Sequence, residues 1–150
     1  MKKIKTSEVI NIYSIIKTAK VSKVAEDAEK YNIIKAIRPL KKIAEEFEAW
    51  QKDAVETLKA DNHDDMVAKA LKWQAEEKEG KEISLTEAER IELNNYFYKF
   101  NNDAKKCMED ELNKENELDV ATISEKSFEQ LISSNDWSVE QIMTIEGYLL

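Results

Sequence analysis

Residues 24–58 read VAEDAEKYNIIKAIRPLKKIAEEFEAWQKDAVETL. Apolar side chains recur along this stretch at steps of three and four residues, which is the period of an α-helix. They are Val24, Ala28, Tyr31, Ile34, Ile37, Leu40, Ile43 or Ala44, Phe47, Trp50, Ala54 and Leu58. The pattern predicts a helical stretch of about 35 residues, roughly 50 Å long. Because Pro39 lies inside it, we expect a kinked helix or a two-helix corner near residues 34–38.

A second helical pattern covers residues 88–112 with the same spacing of apolar side chains. They are Ala88, Ile91, Tyr96 or Phe97, Phe100, Ala104, Cys107 or Met108, and Leu112. Its length and period predict antiparallel packing on the first helix, within a long hairpin over residues 23–113. Before this second helical pattern, Gly80 suits the left-handed end of a helix, and Ser84 with Glu87 matches a capping box.

The two ends of the chain carry shorter patterns. Residues 2–6 and 117–122 alternate polar and apolar side chains, which predicts a two-stranded ribbon. Two strands alone are marginally stable, so this ribbon depends on helices beneath it. Ser7, Ser124 and Ser138 each precede a short helical pattern and can cap it.

Glycine and proline are scarce, with two glycines and one proline in 150 residues. Average usage gives roughly 10 Gly and 7 Pro, so this chain makes few turns. We predict a mainly α fold in a single domain of residues 1–150: an elongated antiparallel helical hairpin or bundle, a short two-stranded β-ribbon, and a C-terminal helical cap.

The formal net charge is −8 and 36% of the residues are charged. Direct binding to nucleic acid or to anionic membranes needs the opposite sign, so we expect neither. The start of the chain lacks the apolar run of a signal peptide. We therefore expect a soluble protein of an intracellular compartment.

Few residues suggest catalysis. His63 is the only histidine and stands among aspartates, which fits a capping turn, a metal site or an acid/base pair. Cys107, the only cysteine, lies on the second apolar stripe as a buried thiol would. Neither glycine belongs to a phosphate-binding loop. We predict no catalytic residue, no metal and no cofactor.

One enzymatic alternative rests on carboxylates at a spacing of three residues. The pairs are Glu26 with Glu29, Glu45 with Glu48, and Glu89 with Glu92. Pairs that point inward from facing helices can hold magnesium, as in all-α nucleotide hydrolases. The alternative function is therefore a magnesium-dependent nucleotide hydrolase.

Aromatic residues crowd into residues 96–100, where four of five side chains are aromatic. One helix face cannot bury all of them, so Tyr96 or Tyr98 lies outside the seam, covered by another part of the chain or exposed for a partner. Trp50 and Trp73 raise the same question. We predict that Tyr96, Tyr98, Trp50 and Trp73 are partner-binding side chains.

Acidic side chains form a second candidate surface. Glu45, Glu48, Glu109 and Asp110 lie off the apolar stripes, where carboxylates are solvated. Such carboxylates can stand in for phosphates and block a basic nucleic-acid channel. This favours, as a further alternative, an acidic inhibitor of a nuclease.

The order of short motifs resembles a loosely defined family of small, uncharacterised phage and prophage proteins. The motifs are Met1 to Lys5, Asn11-Ile12-Tyr13, Glu117-Leu118-Asp119-Val120, Ile123-Ser124 and Ser138 to Leu150. The resemblance implies a phage-encoded accessory protein that acts by binding protein, with virion assembly as its setting, in the cytoplasm of the bacterial host or associated with the virion. It also implies that the nuclease of the acidic-inhibitor alternative is one of host defence. Independently of the resemblance, a hairpin of this length with apolar seams on both arms also allows a homodimer that exchanges arms.

Overall fold

A computed structural model describes all 150 residues. It confirms a mainly α fold with one two-stranded ribbon and two helices at the C-terminal end. In chain order the elements are β1 (Lys2–Lys5), α1 (Thr6–Ile16), α2 (Asp27–Leu58), α3 (His63–Lys78), α4 (Glu87–Leu112), β2 (Glu115–Leu118), α5 (Glu125–Ser134) and α6 (Val139–Leu149).

The chain divides into two compact units. The terminal unit consists of Met1–Ala49 and Asp110–Leu150, and the hairpin unit consists of Trp50–Glu109. The single domain over residues 1–150 stays a prediction.

The two strands of the terminal unit pair antiparallel, with Lys2 opposite Leu118 and Lys5 opposite Glu115. The second strand thus lies at 115–118, and its predicted position at 117–122 was wrong by a few residues. The amide of Asn116 accounts for part of this register, because its Nδ2 donates to the Ile4 carbonyl at 3.1 Å and to the Thr6 hydroxyl at 3.0 Å. An alternation of polar and apolar residues cannot reveal that side-chain contact.

The terminal unit has a continuous hydrophobic core. Its buried apolar side chains come from both ends of the sequence, so the core forms only when residues more than a hundred positions apart meet. They are Ile4, Val9, Ile12, Ile16, Val24, Ile33, Ala36, Leu40, Leu118, Ile123, Phe128, Leu131, Ile145, Tyr148 and Leu149. Removing this much apolar surface from water is the main source of stability of the unit.

Helix α2 continues through Pro39 as one element, so of the two predicted alternatives, a kinked helix or a two-helix corner, the corner is absent. Proline lacks the N–H that would bond to the carbonyl four residues earlier, but packing of the buried face holds the helix together. That face consists of Ile33, Ala36 and Leu40. The assignment of Tyr31 and Ile34 to the buried stripe was wrong, because these side chains are 48% and 44% exposed.

Capping serines set the starts of the two C-terminal helices as predicted. The Ser124 hydroxyl accepts from the Ser127 N–H, and the Ser138 hydroxyl accepts from the Gln141 N–H. Gln141 returns a bond to the backbone of Ser138, which completes a capping box. Helix α1 differs from expectation, since it starts at Thr6 and its N-cap is Lys5, not Ser7.

Long-range hydrogen bonds tie the ribbon and α2 to the end of the chain. Nζ of Lys2 donates to the carbonyls of Gly147 and Tyr148 at 2.8 and 2.7 Å, at the C-terminal end of α6. A cation there is favourable because the last carbonyls of a helix carry partial negative charge. The buried hydroxyl of Tyr148 donates to the carbonyl of Ala36 in α2.

Candidate protein-binding surface

Helices α3 and α4 form the antiparallel hairpin of the hairpin unit. His63 at the start of α3 packs on Phe100, with ring centroids 5.0 Å apart. Further along α3, Lys69 lies 4.0 Å from Glu89 near the start of α4. As the residue number increases along α3, the number of the facing residue in α4 decreases, so the two helices are antiparallel. The connection over residues 79–86 reverses the direction of the chain.

Local hydrogen bonds close that connection. Gly80 adopts the left-handed conformation with φ of 68°, as its position predicts. Its N–H donates to the Glu77 carbonyl, and the N–H of Lys81 donates to the Glu76 carbonyl at 2.9 Å. These two bonds define a Schellman motif, which satisfies carbonyls at the end of α3.

The side chain of Glu76 holds the other end of the connection. Its two carboxylate oxygens accept from the Ser84 N–H at 2.6 Å and from the Ser84 hydroxyl at 2.7 Å. These hydrogen bonds, that of the hydroxyl first, lower the pKa of the Glu76 carboxyl below its ordinary value. The predicted capping box of Ser84 with Glu87 was wrong, because Thr86 and Glu89 exchange the capping bonds instead.

An open groove of about 470 Å³ runs between α3 and α4. Apolar and aromatic side chains dominate its walls, with one carboxylate among them. The lining residues are Val67, Ala70, Leu71, Trp73, Gln74, Glu77, Leu93, Asn94 and Phe97. Leu71 is 61% exposed, and Leu93 is the one buried apolar side chain of the hairpin unit. The hairpin thus leaves most of its apolar surface only partly covered.

Trp73 is held in the wall of this groove. Its indole Nε1 donates to the Glu77 carboxylate at 3.0 Å, one helical turn further along α3. The indole is half-buried, with its ring against the groove. A large aromatic side chain that is already oriented loses little conformational entropy when a partner covers it.

A cluster of rings lies at the start of α3. His63, Tyr96, Phe97 and Phe100 pack with ring centroids 5.0 to 6.1 Å apart. The Tyr96 hydroxyl lies 2.7 Å from Nδ1 of His63 and accepts from the Ala60 N–H at 3.1 Å. His63 is therefore a structural residue of an aromatic cluster. Cys107 of α4 is half-buried.

The structure separates the four predicted aromatic partner-binding residues. Tyr98 is 74% exposed and points away from the cluster, whereas Tyr96 is half-buried and its hydroxyl is engaged within the chain. Trp50 and Trp73 are half-buried. Of the four, Trp73 lines the groove and Tyr98 offers the most accessible ring.

The predicted acidic residues are all exposed. Glu45 lies 3.9 Å from Lys41 in a surface ion pair, and no ion pair involves Glu48, Glu109 or Asp110. Glu45 and Glu48 lie on α2, and Glu109 and Asp110 are consecutive on α4.

One carboxylate of each pair required by the hydrolase alternative has another partner. Glu29 accepts from the Ser124 N–H at 3.0 Å, Glu89 accepts from the Thr86 N–H at 3.2 Å, and Glu45 pairs with Lys41. No group of three or more His, Cys, Asp or Glu side chains is placed to hold a metal ion.

Val67, Ala70 and Leu71 were not singled out as a surface from the sequence, and Phe97 was placed only as an alternative to Tyr96 on the second apolar stripe. The signal that could have found them is the breadth of the apolar stripe on α3, where Val67, Ala70, Leu71 and Trp73 recur at helical spacing. A two-helix hairpin buries a narrow seam, so a broad apolar stripe on α3 leaves side chains over for another contact.

No protein-family model, no curated protein and no solved structure matches this chain. None of its helices combines the length and the apolar character that a membrane crossing requires.

Proposed function

We propose that this chain is a non-catalytic accessory protein that binds another protein through the groove between α3 and α4. The observation that carries the proposal is the open groove itself, whose walls are mainly apolar, while Leu93 is the one buried apolar side chain of the hairpin unit. Exposed apolar surface that is contiguous rather than scattered marks interaction sites on soluble proteins.

The occupant that fits this groove best is an amphipathic helix of the partner. Two antiparallel helices bury only the line along which they touch, and a third helix laid between them covers the side chains that remain. Such a helix would contribute apolar side chains at steps of three, four and seven residues. Leu71 and Trp73 supply contacts from α3, and Phe97 supplies them from α4.

The biological setting follows from the resemblance of the chain to small phage and prophage proteins. We propose that the partner is a phage structural protein and that binding serves virion assembly in the cytoplasm of the bacterial host or within the virion. The net charge of −8 favours a partner whose contact surface is basic around an apolar centre.

Site-specific photo-crosslinking in phage-infected bacteria that express the chain tests this proposal. A photoreactive phenylalanine analogue replaces Leu71 in the groove or, as a control, Val139, which is 74% exposed on α6 of the terminal unit. We expect a discrete adduct from position 71 that position 139 does not form. Equal adduct patterns at both positions would overturn the proposal.

A second pair of variants links the adduct to the groove. Ala70→Trp places a large side chain in the groove, whereas Ala68→Trp adds the same side chain to an exposed position of α3 outside it. We expect the first to abolish the adduct and the second to leave it. A phage structural protein in the adduct would support a role in assembly. An adduct with a second copy of the chain would instead show that the groove forms a homodimer interface, and it would overturn the proposed partner.

The exposed carboxylates favour one alternative, an acidic inhibitor of a host defence nuclease. Glu48, Glu109 and Asp110 are exposed without a paired cation, so they are available to a basic channel. Inhibition should weaken with salt and with Glu109→Gln/Asp110→Asn, but not with the control Glu125→Gln/Glu129→Gln on α5. Full nuclease activity at excess protein would exclude this alternative.

A further inference from the structure

The outer face of α2 in the terminal unit carries a run of exposed cations in this acidic chain. Lys35, Arg38, Lys41 and Lys42, here called the basic strip, place four cations within eight residues, and all four are exposed. Burial of the opposite face of α2 in the core fixes their direction toward solvent.

The basic strip is poorly neutralised within the chain. Lys41 alone has a carboxylate within reach, that of Glu45 at 3.9 Å, and no ion pair involves Lys35, Arg38 or Lys42. Like charges at spacings of three and four residues repel one another and destabilise a helix. A ligand with negative charge relieves this repulsion.

Apolar surface continues the basic strip toward the start of α2. Tyr31 is 48% exposed and Ile34 is 44% exposed. The Nζ of Lys35 lies 4.6 Å from the centroid of the Tyr31 ring, and the guanidinium carbon of Arg38 lies 5.6 Å from it. These cation–π contacts hold the ring and two cations together, so charge and apolar surface form one patch.

The extent of the patch limits what it can bind. From Tyr31 to Lys42 it spans roughly 17 Å along the helix axis. Acidic residues flank it on both sides: Glu26, Asp27 and Glu29 before it, and Glu45, Glu46 and Glu48 after it. A nucleic acid that extends beyond the patch meets like charge at both ends, and the net charge of −8 repels it at long range.

We propose that the basic strip, together with Tyr31 and Ile34, binds a short acidic and amphipathic segment of a protein. Carboxylates of that segment pair with Lys35, Arg38 and Lys42, and one of its apolar side chains covers Tyr31 and Ile34. This site is separate from the groove of the hairpin unit and takes a ligand of opposite electrostatic character to the basic partner expected there.

Fluorescence anisotropy with a labelled synthetic peptide tests the site. The probe is a helical peptide of fourteen residues of Glu, Leu and Ala with the leucines on one face, titrated with the full chain at ~20 mM and at ~200 mM NaCl, where screening is strong. We expect saturable binding at low salt that weakens at least about tenfold at high salt.

Charge-reversal variants locate the site. Arg38→Glu/Lys42→Glu should abolish binding, whereas Lys105→Glu/Lys106→Glu, an equal change at exposed positions of α4, should leave it intact. Arg38→Gln/Lys42→Gln serves where the reversal disturbs folding, as judged by circular dichroism. Tyr31→Ser should weaken binding with its salt dependence retained. No binding at low salt, equal loss in both reversal variants, or tighter binding of a fourteen-nucleotide single-stranded DNA would overturn the proposal.

Discussion

The terminal unit and the hairpin unit are built from the same kind of amphipathic helix, yet they differ in what the helices bury. In the terminal unit, side chains such as Ile33, Leu131 and Ile145 are completely buried. In the hairpin unit Leu93 is the one buried apolar side chain, and the side chain of Glu76 is the other buried group. Layers of helices on a ribbon can enclose a core, whereas two helices side by side cannot.

Under the proposed function, this difference gives the two units separate tasks. A unit with a closed core supplies stability, and a unit with a half-covered apolar surface supplies a place for a partner to bind. Tryptophans provide a probe for each, since Trp137 packs against the core of the terminal unit and Trp50 and Trp73 belong to the hairpin unit. Variants that keep tryptophan in one unit only, with phenylalanine elsewhere, report on each unit separately.

The largest expected effect comes from Leu131→Ala in the core of α5. Leu131 is completely buried, so its truncation leaves a cavity and should lower the free energy of unfolding by about 2–5 kcal/mol. Leu71→Ala in the groove should change it by less than about 0.5 kcal/mol, since Leu71 is 61% exposed. Urea unfolding followed by tryptophan fluorescence measures both. Similar costs would mean that the groove is part of a closed core.

Alkaline pH should weaken the terminal unit through Tyr148. Burial raises the pKa of Tyr148 from 10.0 to about 12. Because the folded state keeps the phenol protonated and the unfolded state does not, its contribution is fully present below pH 10 and is lost as pH rises toward 12. The loss is about 2–3 kcal/mol. Urea unfolding across this range should show it in the wild type and not in Tyr148→Phe.

The two glycines offer a matched pair with opposite expected signs. Gly80 has φ of 68°, so Gly80→Ala should destabilise the hairpin unit by about 1–2 kcal/mol. Gly147 lies within α6, and a Cβ there meets no atom within 4 Å. Gly147→Ala should therefore stabilise the terminal unit by about 0.5–1 kcal/mol. Thermal unfolding compares the two variants, and equal signs would refute the assigned conformations.

The smallest expected effect is local to the connection between α3 and α4. Glu76→Gln removes the charge that Ser84 binds, so amide hydrogen exchange of Ser84 should become faster, while Glu82→Gln in the same connection should leave it unchanged. Because the pKa of Glu76 is lowered, its contribution is present above the ordinary value of 4.5 and is lost as pH falls through the lower, folded-state value. If the exchange rate of the Ser84 amide responded neither to Glu76→Gln nor to protonation of Glu76 at low pH, this role of Glu76 would be contradicted.

Local signals in the sequence predicted helix ends better than they predicted helix faces. Ser124, Ser138 and Gly80 act as expected, because a cap depends on atoms within a few residues of it. The face of α2 was harder, since Ile33 and Ile34 are adjacent and equally apolar. Packing against α1, α5 and α6 selects Ile33 for the core and leaves Ile34 exposed.

The candidate sites show the same limit. The exposure of Tyr98 follows from crowding of four rings on one helix, which the sequence already indicates. The burial of Tyr96 depends on His63 and Ala60, more than thirty residues away, and no local pattern reveals those contacts. The groove likewise depends on which side chains of α3 face α4.

By itself the sequence determined that this protein is mainly helical and where several of its helices begin. These properties follow from composition and from interactions over three or four residues. Only the tertiary structure decided that one unit closes a core while the other leaves a groove open, and that Tyr31 joins the basic strip at the surface. Burial is a property of residues distant in sequence that meet in space, so it is settled when helices pack and not before.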